Sequence, residues 1–294
     1  MAQSTSRRRA RELIPEHVLA HVPGYAASGA ASMAERIFGG TVNASYLAET
    51  AAGRYVVRIH EEGGRVLGAD HAREAQLQIA AAGVGVAPDV FHADPQHRFM
   101  VMEHIPGPTW APKDFSDPQR LRLLGATLRT LHRIAPPLVS NFDLRALLHG
   151  HRQRIVAAVP AESAGIDSLL RRADLALDAC GSAEREPALI HGDLHHSNLI
   201  GSGRLRLLDW EYGALTDPLF DLGCVLAYYP QAEVHAAELL DASGLRGCAS
   251  PAMLRHAAWL YVLVSYLWHR VRRLGTAVRA DELAIEQELL QRLQ

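Results

Sequence analysis

The tripeptide Pro106-Gly107-Pro108 divides the chain into two textures. Neither a regular helix nor a central strand can run through it, because each proline fixes φ and lacks a backbone donor. Before this break the apolar residues come in short strand-like runs. After it they recur mostly at helical spacing. In the first half, 41–50 and 54–60 read as two strands joined by a short turn at Ala51-Ala52-Gly53. Residues 70–82 read as a helix with Asp70 as N-cap and Gly83 at its end. Residues 88–93 and 98–103 read as two more strands around an Asp94-Pro95 turn. Residues 1–35 read as a peripheral helical extension, with Pro15 near a helix start and Pro23-Gly24 closing it.

In the second half a helix starts at Asp117-Pro118 and runs toward His132, and further helices cover 144–159 and 166–180. Helices resume after Pro218. Between 188 and 209 the helical texture is interrupted, and the polar residues concentrate there. The two apolar runs around Gly201-Ser202-Gly203 read as a hairpin, whose closure would set Asn198 beside Asp209. Asp193 stands five residues before Asn198, in the loop entering that hairpin. Two carboxylates and an amide around one point suit phosphoryl transfer, which needs a Mg²⁺ clamp and an oriented hydroxyl. Asp209 and Asn198 would supply hard oxygen ligands, and Asp193 would orient the hydroxyl or accept its proton. A competing reading takes His191, His195 and His196 as a transition-metal site. Against it, no cysteine or further histidine stands at zinc spacing.

Charge narrows the partners. The 294 residues carry 30 basic and 32 acidic side chains, a net charge of -2, which argues against a nucleic-acid partner. No apolar run reaches the ~18 residues of a membrane span. The run Trp259 to Trp268 is followed at once by His269 and Arg270. The N-terminal arginines are followed by no apolar core, so no secretion signal is expected. The cysteines, Cys180, Cys224 and Cys248, are scattered and odd in number, as expected of reduced thiols in a cytoplasmic protein. Lys113 is the only lysine, so any task that elsewhere uses a lysine falls to it or to an arginine.

The run HGDLHHSN (191–198), followed by LLDWE (207–211), resembles the aminoglycoside phosphotransferase and choline/thiamine kinase family, over roughly residues 36–275. Gly192 stands where protein kinases carry arginine, and Asp209-Trp210-Glu211 stands in place of their Asp-Phe-Gly. Both point to the small-molecule branch of the protein-kinase-like fold. The resemblance implies an α+β, bilobal chain. Residues 36–105 would form a nucleotide-binding lobe with a small antiparallel sheet and one helix. Residues 106–294 would form a helical lobe with the catalytic loop and substrate site. It implies ATP and Mg²⁺ as cofactors and a small-molecule alcohol as the partner.

Role by role, the resemblance makes Asp193 the acceptor-orienting carboxylate and His191 the residue that holds the loop, with Asn198 and Asp209 on the metal. Arg58 takes the place of the nucleotide-binding lysine, with Glu74 as its ion-pair partner. Gly39, Gly40 and Asn43 belong to the phosphate-covering loop, and Glu103 and Ile105 to the stretch that bonds adenine. Asp221, in Asp217-Pro218-Leu219-Phe220-Asp221, would hold the catalytic loop by its backbone N–H groups. The combination Asp-Trp-Glu-Tyr with Asp-Pro-x-x-Asp is nearer to choline, ethanolamine and thiamine kinases, whose substrates are cationic alcohols. Aromatic faces and a carboxylate suit such a cation. Trp259 and Tyr266 share one face of a helix, and Tyr261 and Trp268 the opposite one. The candidate substrate residues are Trp259, Tyr266, Trp268 and Tyr212, with Glu211 and Asp217 for charge; the helix aromatics are alternatively core residues, and Asp217 is alternatively the N-cap of the helix after Pro218. The alternatives are an aminoglycoside or sugar-type kinase, and a nucleotide-binding module without strong catalysis. Arg58 favours the latter; intact Asp193, Asn198 and Asp209 oppose it.

Overall fold

A computed structural model describes residues 8–25, 33–39, 43–60, 70–135, 137, 139–181, 185–274 and 280–294. The chain divides into two units. One comprises Met1–Pro108 together with Arg206–Tyr212, the other Thr109–Leu205 together with Gly213–Gln294.

The first unit is built on a six-stranded antiparallel sheet in the order β1-β2-β3-β4-β6-β5. Its strands are β1 (Arg8–Arg9), β2 (Met33–Gly39), β3 (Asn43–Thr50), β4 (Gly53–His60), β5 (Val90–Ala93) and β6 (Phe99–Glu103). Two short helices, α1 (Ala10–Leu13) and α2 (Glu16–Leu19), follow β1, and α3 (His71–Ala82) follows β4. Strand alternation sorts the side chains of β4 onto two faces. Tyr55 and Val57 join Ala34, Ala48, Phe99 and Val101 in one core. Val56 packs with Ala75, Met100 and Met102 on the other face, and Arg58 shares that face by its register. Asp70 caps α3 by accepting the Arg73 N–H at 3.0 Å.

The expected peripheral extension is part of this unit's core. Ile14, Val18, Leu19 and Val22 are buried against the sheet. Each large aliphatic buried there contributes roughly 1.5–3 kcal/mol of transfer free energy. The segment is also not wholly helical: Arg8 and Arg9 pair with Ala34 and Met33, and β2 already begins at Met33.

The second unit is helical. Its helices are α4 (Pro118–Leu131), α5 (Leu144–Ala158), α6 (Ser163–Cys180), α7 (Leu219–Tyr228), α8 (Ala236–Ser243), α9 (Pro251–Leu274) and α10 (Ala280–Leu293). Asp117 caps α4 with Pro118 in its first turn, and Asp143 caps α5. Leu121, Leu124, Leu128 and Leu131 form the buried stripe of α4. Strand β7 (Ala188–Ile190) pairs antiparallel with a strand at Ala214–Thr216, so the polar loop leaves the end of a buried ladder. No helix among the described residues is long and apolar enough to cross a membrane.

Gly223 sets the spacing between α7 and α9. A Cβ there would lie 2.8 Å from the carbonyl carbon of Ala257. Glycine thus lets the two helices approach backbone to side chain. Tyr261, one turn beyond Ala257, is thereby carried to the polar loop.

Candidate active site

The loop from His191 to Asn198 is fixed mainly from α7. The Asp221 carboxylate is fully buried and accepts the N–H groups of His191 at 3.1 Å and Gly192 at 2.9 Å. Its other oxygen takes His132 Nε2 at 2.9 Å. One turn on, Cys224 Sγ accepts the Leu194 N–H at 3.1 Å. At the end of the helix the Tyr228 hydroxyl donates to Asp193 Oδ1 at 2.7 Å. Steps of three and four residues place Asp221, Cys224 and Tyr228 on one face. Tyr229, stacked on Phe115 at 3.6 Å between ring centroids, accepts the His196 N–H at 2.7 Å. Gly192 itself has φ 77°, the left-handed region that glycine enters without strain.

Within the loop, Asn198 Nδ2 donates to Asp193 Oδ2 at 2.9 Å and to the Asp193 carbonyl at 3.0 Å. Among the described residues no hydrogen bond is made to Asn198 Oδ1. His191 is fully buried, and its Nδ1 accepts the Asp193 N–H at 3.2 Å. It braces the loop from beneath.

The strand-rich unit gathers a second set. Arg58 Nη1 donates to Glu74 Oε1 at 2.6 Å and to Asp209 Oδ1 at 2.9 Å. Burial opposes the Arg58 charge, but Asp209, Glu74 and Glu211 outweigh it and raise the guanidinium above its ordinary value. Burial likewise opposes the Glu74 charge, yet the His71 hydrogen bond and Arg58 hold its carboxyl well below the usual range. Arg58 Nε is buried with no hydrogen-bond partner. A guanidinium is a group suited to phosphate oxygens. Asp209 has φ 64°, a conformation that a short polar side chain tolerates better than most. The segment that carries it is tied into this unit by Leu207 N–H to Val86 O at 2.8 Å and Arg206 Nη1 to Ala87 O at 3.0 Å.

Asn43 Nδ2 donates to Glu211 Oε2 at 3.3 Å. Gly39 ends β2 opposite Ala44, whereas Gly40 lies outside the described residues. Glu103 ends β6 and accepts the Asp89 N–H at 3.2 Å; Ile105 follows, half-buried.

Residues 34–259 match the profile of the phosphotransferase enzyme family (APH). The chain belongs to that family. The match spans most of the chain, and the protein-kinase-like α+β fold and phosphotransferase activity follow from it. Among solved structures, a choline/ethanolamine kinase family protein from Mesorhizobium loti is 26% identical with a TM-score of 0.74, covering 94% of this chain and 91% of that one. The choline kinase LicA from Streptococcus pneumoniae is 20% identical, TM-score 0.70, covering 88% and 92%. The ADP-bound aminoglycoside phosphotransferase APH(2'')-Ib is 18% identical, TM-score 0.64, covering 88% and 92%. At these last two identities the likeness is one of fold.

Several candidate residues of this phosphotransferase have other occupations. Asp217 is buried and forms a two-point ion pair with Arg185, at 2.8 and 2.6 Å, and it also caps α7 through the Leu219 N–H. Of the two roles expected for Asp217, helix cap and acceptor contact, these bonds serve the first. Trp259 lies under the Arg172 guanidinium, 4.3 Å from its centroid. Tyr266 is buried among Glu286, Glu162 and Arg270. Both stand on the face of α9 opposite Tyr261. Trp268 shares the Tyr261 face two turns further on, against His269 and Arg272. Tyr212 is exposed and Glu211 half-buried.

The rings that do reach Asp193 are Tyr228 and Tyr261, neither of them among the residues expected at the acceptor. Tyr261 donates to the Gly192 carbonyl at 3.1 Å. The His195 ring meets Tyr228 edge-on at 5.1 Å. One signal was available: Tyr228 falls at a helical step from Asp221 and Cys224.

The histidine metal site is not formed. His195 Nδ1 is bonded to Ser197 Oγ and His196 Nδ1 to the Tyr229 hydroxyl. Among the described residues the one group with metal-ligand proximity is His60, His71 and Glu74. There the two imidazoles stack 3.8 Å apart at 12°, so their in-plane lone pairs run side by side and do not converge.

Proposed function

We propose that this phosphotransferase moves the γ-phosphoryl group of ATP, with Mg²⁺, to the hydroxyl of a small cationic alcohol of the choline, ethanolamine or thiamine type. The observation that carries the reading is the Asp193 carboxylate. It is held from both oxygens, in a loop fixed by buried backbone hydrogen bonds, and aromatic rings stand next to it. A carboxylate so placed orients an acceptor hydroxyl and takes up its proton as the new ester bond forms.

Oxygen donors suit Mg²⁺. Asn198 Oδ1 and Asp209 Oδ2 accept no hydrogen bond from a described residue, so both are available as ligands. The bound ion would neutralise charge on the phosphates. Arg58, steadied by Glu74, would grip phosphate oxygens with its guanidinium where a lysine usually does. Gly39, Gly40 and Asn43 would cover the phosphates, and the backbone at Glu103 and Ile105 would bond adenine. The ADP and AMP complexes of structural neighbours support nucleotide use.

The cationic-alcohol assignment draws on the likeness to the Mesorhizobium protein and on the faces of Tyr228 and Tyr261 beside Asp193. Glu211 and Tyr212 remain candidates for acceptor contact, with Trp268 at the far end of the Tyr261 face. The aminoglycoside reading is the second one, favoured by the likeness to aminoglycoside phosphotransferases. The test is ADP release with Mg-ATP over choline, ethanolamine, thiamine and an aminoglycoside. Stimulation by one of the first three supports the assignment; stimulation by the aminoglycoside alone overturns it.

A further inference from the structure

The acceptor place on Asp193 is already taken by a hydroxyl of this chain. Tyr228 donates to Asp193 Oδ1 at 2.7 Å, a length typical of a hydroxyl on an ionised carboxylate. The Tyr261 hydroxyl stands 3.4 Å from the same oxygen and 3.4 Å from the Tyr228 hydroxyl. Tyr228 thus fills Oδ1 as its donor, and Tyr261, whose single O–H goes to the Gly192 carbonyl, stands beside it. On the other side, Oδ2 holds Asn198. Burial first, and then the nearby Asp193 charge, push the Tyr228 hydroxyl above its ordinary value, so it remains a donor.

The Tyr228 ring is also placed to leave. It is the last residue of α7, and 39% of its surface is exposed. Its neighbour Tyr229 is locked into the Phe115 stack and onto His196. The helix end can therefore stay fixed while the Tyr228 side chain swings.

We propose that Tyr228 is a specificity-determining residue whose hydroxyl stands in for the acceptor hydroxyl, keeping water off Asp193 until an alcohol displaces it. The inference rests on Asp193 orienting the acceptor. Two outcomes compete at that carboxylate. Attack by an alcohol, ROH, breaks the bond from the γ-phosphorus to the bridging oxygen and gives ADP, the phosphate monoester of ROH and a proton. Attack by water gives ADP, inorganic phosphate and a proton. Water has no bound remainder whose contacts could drive Tyr228 away. An alcohol with a bound remainder can spend that remote binding on the displacement. The discrimination thus lies between acceptors with and without a second point of attachment.

The test measures ADP and phosphate release by the full chain with Mg-ATP and no acceptor, for wild type and Tyr228→Phe. The variant keeps the ring and loses the hydroxyl. Acceptor-independent hydrolysis is expected to rise about tenfold, the scale set by one lost charge-assisted hydrogen bond. Once an active alcohol is in hand, its KM is expected to fall while kcat stays within a few-fold. Tyr228→Leu, equally without a hydroxyl, is expected to show the same rise and keeps the test open if the Phe variant does not fold. Hydrolysis that is unchanged or lower in the folded variants overturns the proposal, as does a parallel loss of hydrolysis and transfer. Adding Asp193→Asn to Tyr228→Phe is expected to abolish the extra hydrolysis. Full transfer by Asp193→Asn alone would overturn the role of Asp193. Loss of transfer in that variant, without a rise in Tyr228→Phe, would overturn the role of Tyr228 only.

Discussion

The two units hold their polar residues by different means. In the strand-rich unit, full charges face each other: Arg58 bonds Glu74 and Asp209, with His71 behind Glu74. In the helical unit, backbone N–H groups meet a buried carboxylate, and phenols meet Asp193. A charge cluster keeps its shape only while every partner is ionised, and loses heavily when one is removed. A loop fastened by many backbone hydrogen bonds spreads the same task over modest contributions. The first arrangement suits the phosphate-gripping role proposed for Arg58, the second a loop that must stay still.

The sharpest way to probe that contrast is Asp193→Asn, which keeps the shape and removes the charge. Acceptor-dependent ADP release is expected to fall about 10²–10⁴-fold, with little change in Tm because the Asp221 bonds are untouched. Next come the two buried carboxylates. Glu74→Gln strips one partner from Arg58, with an expected loss of about 3–5 kcal/mol in urea unfolding. Asp221→Asn still offers one acceptor oxygen to the loop, and its expected loss is about 1–3 kcal/mol. The reverse order would break the comparison.

Smaller effects follow. Arg58→Lys restores the more usual residue but has one charged nitrogen for two carboxylates. Transfer is expected to drop by no more than about tenfold, chiefly through the KM for ATP, whereas Arg58→Met should lose far more. The smallest effect concerns acid stability. Burial pushes His60 in one unit and His151 in the other down to about 4. Both stay neutral in the fold while the unfolded chain takes up protons below about 6.5. The unfolded state therefore binds more protons between pH 6.5 and 4, and stability falls as pH falls through that window. Above it neither group contributes a slope. Thermal melts should lose a few degrees over the window, and His151→Leu should flatten the curve, because its Nε2 is buried without a partner.

Much of this was readable from local spacing. The helix at 71–82 and the strand at 53–60 follow from periodicity, whereas the pairing of Glu74 with Arg58 was legible only through the family resemblance. The HGDLHHSN spacing locates the loop that carries Asp193 and Asn198. Residues 8–22 were misread because two four-residue helices and a two-residue strand are too short to show a period. Tyr228 and Tyr261 reach Asp193 from 35 and 68 positions away, and no window of sequence spans such a contact. The capping role of Asp217 ahead of Pro218 was legible, but its ion pair with Arg185 was not, because Arg185 sits in a loop with no pattern of its own.

The scarcity of lysine reaches beyond phosphate binding. Arg58 occupies the buried ion-pair position, and a guanidinium that stays protonated is no nucleophile. Nucleotide analogues built to acylate or sulfonylate an active-site amine have nothing there to bond with. The one side-chain amine, Lys113, is exposed on a turn at Pro112–Ser116. A fluorophore or cross-linker with amine-selective chemistry therefore attaches to a single side chain, outside the Arg58 cluster.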